Sequence, residues 1–516
     1  MKKIIYAFFA ILLIALSVTS CKKKESSDTS PKFAVDSTKV DAFFAQHPDF
    51  ADYKKDVLAL YQKHNYRFVW YDDEGRNELA DVLYNRASQI ELEGVPTPLP
   101  YKEKLEDLFS DDRKKPQLEK ELLISSMYFF YAKKVYEGLD PQKSKQLGWY
   151  LPREKVSYVD YLDQLMKDSD LIKKDEEAMI GQYYNLRKAL QRFRKIRDSG
   201  GWGTVTLPEG VKSLKPGDNS PAVAQLRKRL SVSGEIKNNN NSTLYDNELA
   251  SAVKAWQIRH NMKADGIVGP GVLKELNVIV EERIKTILVN MERCRWLSPD
   301  VTDAQEYVSV NIPSYRMRYI KDGKTALESN VVVGKELNKT VVFSGKMSYL
   351  VFSPYWNVPT SILEAEIKPG IASDPDYLEK HNMEWDGERV RQRPGPDNSL
   401  GQIKFMFPNS NNIYLHDTPA KSLFKAEDRA LSHGCVRVEK ARDLAVMILQ
   451  DDKNWPAEKI DEAMNSGTEQ QYPLKRKIPV YIAYFTALAD ENGNISFFDD
   501  IYKRDAKLAH YLYTED

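Results

Sequence analysis

The sequence predicts a multidomain α+β protein, with an all-α region first, a small three-helix module next and a β-rich domain last. Three observations predict it. Apolar residues recur at spacings of three and four through most of residues 41–206. From Tyr307 the pattern becomes alternation, as in Tyr307-Val308-Ser309-Val310-Asn311-Ile312. Between the two, short helical runs are separated by Gly-, Pro- and Asn-containing turns. A chain of 516 residues has room for roughly three or four domains. Its composition, 42% hydrophobic and 29% charged, is that of an ordinary globular protein. A formal net charge of zero argues against nucleic acid as a partner.

The first residues read as an export signal. Met1-Lys2-Lys3 is basic, and Ile4 to Val18 is apolar but short for a membrane span, which needs about 20 residues. Val18-Thr19-Ser20-Cys21 resembles a lipoprotein processing box, which implies a signal peptide over 1–21 and lipidation of Cys21. An ordinary signal peptide or an uncleaved anchor is the alternative. Lys22 after Cys21, rather than Asp, favours the periplasmic side of the outer membrane. Residues 22–40 hold little to bury and read as a flexible tether.

Residues 41–206 read as one helical domain. Tyr128, Phe129, Tyr131, Ala132, Val135 and Tyr136 share a helical period, as do Met179, Tyr183, Leu186, Leu190, Phe193 and Ile196. Gly138-Leu139-Asp140-Pro141 and Gly200-Gly201 are helix stops. No catalytic grouping stands out here, and the solitary His47 and His64 read as surface residues.

In residues 207–278, Ser220-Pro221 starts one helix and Asp246 caps a second that carries Leu249, Val253 and Trp256. Asp265-Gly266 turns the chain, and Gly269-Pro270 opens a short third helix. The order resembles a three-helix peptidoglycan-binding domain, although Gly271 stands where Thr is usual. Residues 279–297 predict one amphipathic connector helix with Ile284, Ile287, Leu288, Met291 and Trp296 inward and Cys294 buried.

Residues 298–516 predict strands at Tyr307–Ile312, Arg316–Ile320 and Asn330–Val333, with an Asp322-Gly323 hairpin turn. Residues 360–397 break the pattern and read as an insertion beside the cleft, with Tyr355 and Trp356 at its base. Ala441–Leu449 is helical. A strand at Ile478–Tyr484 and a return over Ile495–Phe498 are expected to complete the sheet.

The densest chemistry is Leu431-Ser432-His433-Gly434-Cys435-Val436-Arg437, preceded by Tyr414-Leu415-His416-Asp417. A thiol of pKa about 8.5 needs a nearby base or cation to become a thiolate. His416 and His433 are the candidate bases, and Arg437 adds positive charge. Gly434 permits a sharp turn that aims N–H groups at one point, an oxyanion hole in which one donor is worth about 2.7–4 kcal/mol. With Cys21 lipidated and Cys435 reactive, only Cys294 of the three cysteines remains, so no disulfide framework is expected.

His416, a fifteen-residue spacer and Ser432-His433-Gly434-Cys435-Val436-Arg437 closely resemble the L,D-transpeptidase signature. Val351-Phe352-Ser353-Pro354-Tyr355-Trp356-Asn357-Val358-Pro359, Arg393-Pro394-Gly395-Pro396 and Gly401-Gln402-Ile403-Lys404-Phe405-Met406-Phe407-Pro408-Asn409 resemble the large multidomain branch. That resemblance implies a helical scaffold domain, a peptidoglycan-binding domain and a β-sandwich catalytic domain with a capping insertion. It implies Cys435 as nucleophile and His416 as base, oriented by Asp417 or a backbone carbonyl. Ser432, His433 and Gly434 would shape the oxyanion hole, and Arg437, Tyr414 and Trp356 would meet substrate.

The implied reaction is 3→3 cross-linking of peptidoglycan stem peptides through a thioester, with release of D-alanine and no metal or other cofactor. The implied partners are stem peptides and glycan, the membrane through the lipid anchor, and wall-synthesis proteins. Alternatives are a carboxypeptidase or protein-anchoring activity of the same site, a cysteine endopeptidase, and a non-catalytic wall-binding lipoprotein. The order of His416 before Cys435 argues against the endopeptidase.

Overall fold

The computed structural model describes residues 33–110, 113, 115–151, 153, 156–167, 179–237, 239–298, 301 and 304–514. The expected signal peptide, Cys21 and most of the tether lie outside the described residues. Among the described residues no helix is long and apolar enough to cross a membrane.

Helix formation begins earlier than expected. Ser37–Gln46 is helical, with Asp36 accepting from the Thr38 N–H as its cap and Val40 buried, so the stretch read as tether already contributes to a core. The helix Leu118–Ala132 is the centre of the N-terminal helical core and is buried on almost every side. Its one buried carboxylate, Glu121, accepts from the Val69 N–H (2.6 Å), the Trp70 N–H (3.3 Å) and the Tyr61 hydroxyl (2.9 Å). His47 is not a surface residue. Its Nδ1–H donates to the Phe43 carbonyl at 2.9 Å and the ring stacks on Phe43, so an apolar helix face covers it. His64 is half-buried against Asp163.

The helix Gly181–Asp198 buries the predicted stripe of Tyr183, Leu186, Leu190, Phe193 and Ile196. It does so against Val280–Arg295 and the β domain, in a core separate from that of Leu118–Ala132. Val280–Arg295 is more than an amphipathic connector, because Asn290, Glu292, Arg293 and Arg295 on its polar side are buried too. Arg295 donates to the carbonyls of Val135 (2.8 Å) and Glu93 (2.6 Å) on one side. Asn290 donates to Thr486 Oγ1 (2.8 Å) and Arg293 pairs with Asp505 (2.7 Å) on the other. Buried polar groups of this kind are tolerated because each finds a partner.

The three-helix module comprises Pro221–Ser233, Asn247–Arg259 and Pro270–Leu276 around Leu226, Leu230, Leu249, Val253 and Trp256. Asp246 caps the second helix as expected, accepting from the Leu249 N–H at 2.9 Å. Ser220 occupies the N-cap position of the first without a side-chain bond.

The β domain is built on a nine-stranded sheet. Its order is Ala430–Ser432, Lys324–Gly334, Val436–Val438, Leu415–His416, Ile403–Met406, Phe343–Phe352, Gln470–Ala483, Tyr307–Asn311 and Arg316–Lys321. Arg316–Lys321 also pairs with Lys324–Gly334 through the Asp322-Gly323 hairpin, so the sheet curls until its ends meet and both layers belong to one sheet. The strand expected at Ile478 starts at Gln470. Ala487–Ala489 and Ile495–Phe497 do not complete this sheet; they form a separate hairpin against Gly181–Asp198, where Asn185 donates to the Ala489 carbonyl at 3.3 Å. Within 360–397, Met383–Asp386 and Arg389–Gln392 join Trp356–Asn357 in a three-stranded sheet. That insertion has its own small core of Val358, Ile362, Leu363, Ile367, Met383 and Val390.

Candidate active site

Two short strands set the site. Leu415–His416 and Val436–Val438 run parallel, with Leu415 opposite Val436 and His416 opposite Arg437. The Val436 N–H donates to the Tyr414 carbonyl at 3.2 Å, which carries the register back to Tyr414 and Cys435. Side chains alternate faces along a strand, so Tyr414, His416, Cys435 and Arg437 form a square on one face. Leu415, Val436 and Val438 point into the core. The apolar residues of the motif therefore fix the direction of the reactive ones.

The turn before Cys435 is braced from inside. Ser432 Oγ donates to the Cys435 carbonyl (2.6 Å) and accepts the Gly434 N–H (3.1 Å). Gly434 sits at φ +118°, a region that L side chains rarely adopt. Its carbonyl accepts from Thr340 Oγ1 (2.8 Å), which in turn accepts the Gly334 N–H (2.9 Å). The Tyr502 hydroxyl accepts the Thr340 N–H (3.0 Å) and donates to the Gly334 carbonyl (2.6 Å). Thr340 and Tyr502 were not singled out from the sequence, because nothing local to Thr340 reports a contact with Gly434, 94 positions away, and nothing local to Tyr502 reports its contacts with Thr340 and Gly334, 162 and 168 positions away.

His416 is 4% exposed. Its Nδ1 lies 2.5 Å from the backbone carbonyl of Asp417, which can only accept, so Nδ1 carries the proton and Nε2 keeps a lone pair. The Asp417 carboxylate points elsewhere, accepting from the Gln402 N–H (3.1 Å) and pairing with Lys421. The backbone, not the acid, orients the ring. Burial, and then the neighbouring Arg437, push the imidazole down to about 4.

The Cys435 thiol is pushed up by burial. The Tyr414 N–H, the Tyr414 hydroxyl and Arg437 oppose that rise. It also donates to the Asn412 carbonyl at 3.7 Å. Among the described residues its hydrogen bonds go to Asn412 and Tyr414 and not to the His416 ring. At neutral pH the pair is a thiol beside a neutral imidazole, not a preformed ion pair.

Arg437 is partly buried and its Nε has no hydrogen-bond partner among the described residues. Tyr414 packs edge-on to His416, centroids 5.7 Å apart. Lys404 extends the row, since it stands opposite His416 on the next strand. Among the described residues its ammonium, pushed down by burial, meets only the Tyr355 carbonyl (3.5 Å) and, more distantly, Glu469 (4.0 Å). In the sequence nothing distinguishes it beyond its place in Gly401–Asn409. His433 does not join the square. It is exposed, with Nε2 3.3 Å from Glu366 of the insertion. Trp356 packs against the insertion's own core. Cys294 is fully buried and its thiol is pushed well up by burial, as fits a structural residue. Among the described residues no group of three or more His, Cys, Asp or Glu is gathered to hold a metal ion.

Residues 305–474 match the family model described as L,D-transpeptidase catalytic domain, residues 55–190 that of a scaffold domain, and residues 219–276 that of a "Putative peptidoglycan binding domain". A Haemophilus influenzae protein named "Putative L,D-transpeptidase" is 37% identical over 229 residues, 40% of this chain and 46% of that one. The chain thus spans just under half the length of this relative. Among solved structures, the L,D-transpeptidase of Xylanimonas cellulosilytica is 15% identical, with coverage of 54% of this chain and 100% of that one at a TM-score of 0.18. That of Stackebrandtia nassauensis is also 15% identical, covering 54% and 95% at a TM-score of 0.22. The chain thus carries a catalytic domain of the L,D-transpeptidase family, joined to a scaffold domain and a peptidoglycan-binding domain.

Proposed function

We propose that this protein forms 3→3 cross-links in peptidoglycan, with Cys435 as nucleophile and His416 as general base. His416 Nε2 takes the thiol proton as the sulfur attacks the carbonyl of the third residue of a tetrapeptide stem. The peptide bond to the terminal D-alanine breaks, and the imidazolium returns its proton to the departing amine. The thioester is then attacked by the side-chain amine of a second stem's third residue. His416 takes that amine's proton, the C–S bond breaks and the thiol is restored.

The observation that supports this reading most is the parallel register that sets Tyr414, His416, Cys435 and Arg437 on one face. Because the Gly434 N–H is already given to Ser432, the Cys435 N–H is the motif's candidate oxyanion donor. The unpartnered Nε of Arg437 suits a substrate carboxylate. His433, held toward Glu366, relates the motif to the insertion rather than to the chemistry. The three-helix module would hold glycan near the site. Lipidation of Cys21 would tether the protein in the cell envelope, on the outer membrane's periplasmic face, within reach of wall-synthesis proteins.

Mass spectrometry of the products from disaccharide-tetrapeptide tests the reading. A cross-linked dimer carrying one D-alanine fewer than its two parents is expected, and it should vanish in Cys435→Ala. A tripeptide product alone, with acceptor present, would replace transpeptidation by hydrolysis.

A further inference from the structure

Away from the catalytic sheet, four arginines from four helices line one small cavity. They are Arg192 of Gly181–Asp198, Arg229 of Pro221–Ser233, Arg259 of Asn247–Arg259 and Arg283 of Val280–Arg295. Trp202, Trp256 and Phe497 complete most of the wall, so the cavity sits where the three-helix module meets the neighbouring helices and the Ala487–Phe497 hairpin. It holds about 20 Å³ of free space, just enough for one water-sized body.

The charges on this wall do not balance. Glu235 is its one carboxylate, and it is paired with Arg259. Arg283 is satisfied by the carbonyl (3.0 Å) and carboxylate (2.5 Å) of Glu275. Arg192 and Arg229 have no carboxylate in hydrogen-bond contact. Arg192 reaches Asn494 Oδ1 at 3.4 Å; Arg229 donates one N–H to the Leu276 carbonyl (3.0 Å) and lies 3.8 Å over the Trp202 ring. Arg192 Nε and Arg229 Nη1 are buried and, among the described residues, have no acceptor. Leaving such a donor unmet costs about 1–3 kcal/mol, more when it is charged.

The surroundings already reject positive charge. Burial pushes Arg229 down to about 10. His260, whose Nδ1–H donates to the Trp256 carbonyl at 2.8 Å, is held well below its usual range by burial and by Arg283, and is therefore neutral. A water molecule would meet the two N–H groups but leave this excess of charge in place.

We propose that the cavity binds one small inorganic anion of about the size of chloride between Arg192 and Arg229, and that the anion fastens the three-helix module to the helices and hairpin around it. The test is diffraction from crystals of the full-length protein grown in sodium bromide, together with thermal unfolding in sodium chloride and in sodium gluconate at equal ionic strength. An anomalous bromide peak at the cavity is expected, with a melting point a few degrees higher in chloride. Arg192→Gln, on a partly exposed side chain that tolerates change, should lose both the peak and the salt difference. Arg229→Gln should do the same where it folds. Density without an anomalous signal, and equal melting points in the two salts, would overturn the proposal in favour of a water.

Discussion

Arg437 stands directly opposite His416 across the parallel strand pair, and its positive charge helps keep the buried imidazole neutral. The neighbouring thiol gains from the same charge, which opposes the rise that burial imposes on it. One guanidinium thus acts on both partners of the proposed proton transfer.

Alkylation should report this directly. With His416 down near 4 and Cys435 raised, the resting thiol is protonated at pH 7. The rate of iodoacetamide labelling should climb steadily above pH 8, without the plateau between pH 4 and 8 that a thiolate–imidazolium pair produces. A plateau would show that the ion pair exists before substrate arrives.

Arg437→Met removes the neighbouring charge from both groups. The acid limb of kcat/KM should move to higher pH, because His416 becomes easier to protonate, and kcat/KM at pH 7 should fall roughly 10–100-fold, the worth of about 1.4–2.7 kcal/mol. An unchanged acid limb with only KM raised would limit Arg437 to holding substrate.

Thr340→Val keeps the shape but removes the hydroxyl that links Gly434 to Gly334. The buried Gly334 N–H and Gly434 carbonyl lose that partner, at about 1–3 kcal/mol of stability. Melting temperature and turnover should both drop, while the Cys435 N–H still faces the same side. Full activity with lower stability would separate the brace from catalysis.

Gly434→Ala tests backbone conformation rather than space. The nearest atom to an added Cβ is the Asn338 carbonyl oxygen at 3.7 Å, so no clash arises. The cost is φ +118° on an L residue, about 1–3 kcal/mol, which the turn relieves by moving Cys435. Activity should fall much more than the melting point does.

Glu121 gives the helical domain a pH response of its own. Burial raises its carboxyl to about 7, against the three donors that favour the charged form. A raised carboxyl binds its proton more tightly in the folded state, so its stabilising contribution is complete below about pH 4.5 and is lost as pH rises through about 7. The change amounts to about 3 kcal/mol. Glu121→Gln should flatten the fall in melting temperature between pH 5 and pH 8. An equal slope in both proteins would place the titrating group elsewhere.

Much of this was legible in the sequence because it is local. The period-two runs, the Asp322-Gly323 turn, the Asp246 cap and the spacing from His416 to Cys435 each report on near neighbours. What was missed depends on distant partners. His47 looked exposed because its cover is Phe43 within a helix whose burial only the fold decides. Val280–Arg295 looked amphipathic because its arginines are polar, and only the structure supplies the carbonyls and carboxylates that let them be buried. The hairpin Ala487–Phe497 reads as strand in either place, and pairing partners are not written in alternation. The choice between the Asp417 carboxylate and its carbonyl as the group orienting His416 turned on one peptide's direction.

The helix Val280–Arg295 joins what the family matches divide. Its arginines draw acceptors from residues before it and after it, so neither neighbour carries a complete inner surface by itself. A fragment cut after this helix would strand Arg293 without Thr486 and Asp505. Excising the catalytic part for study therefore means cutting ahead of Val280, and even there Arg295 gives up the Glu93 and Val135 carbonyls. The boundaries that inheritance drew along this chain are not the seams along which it comes apart.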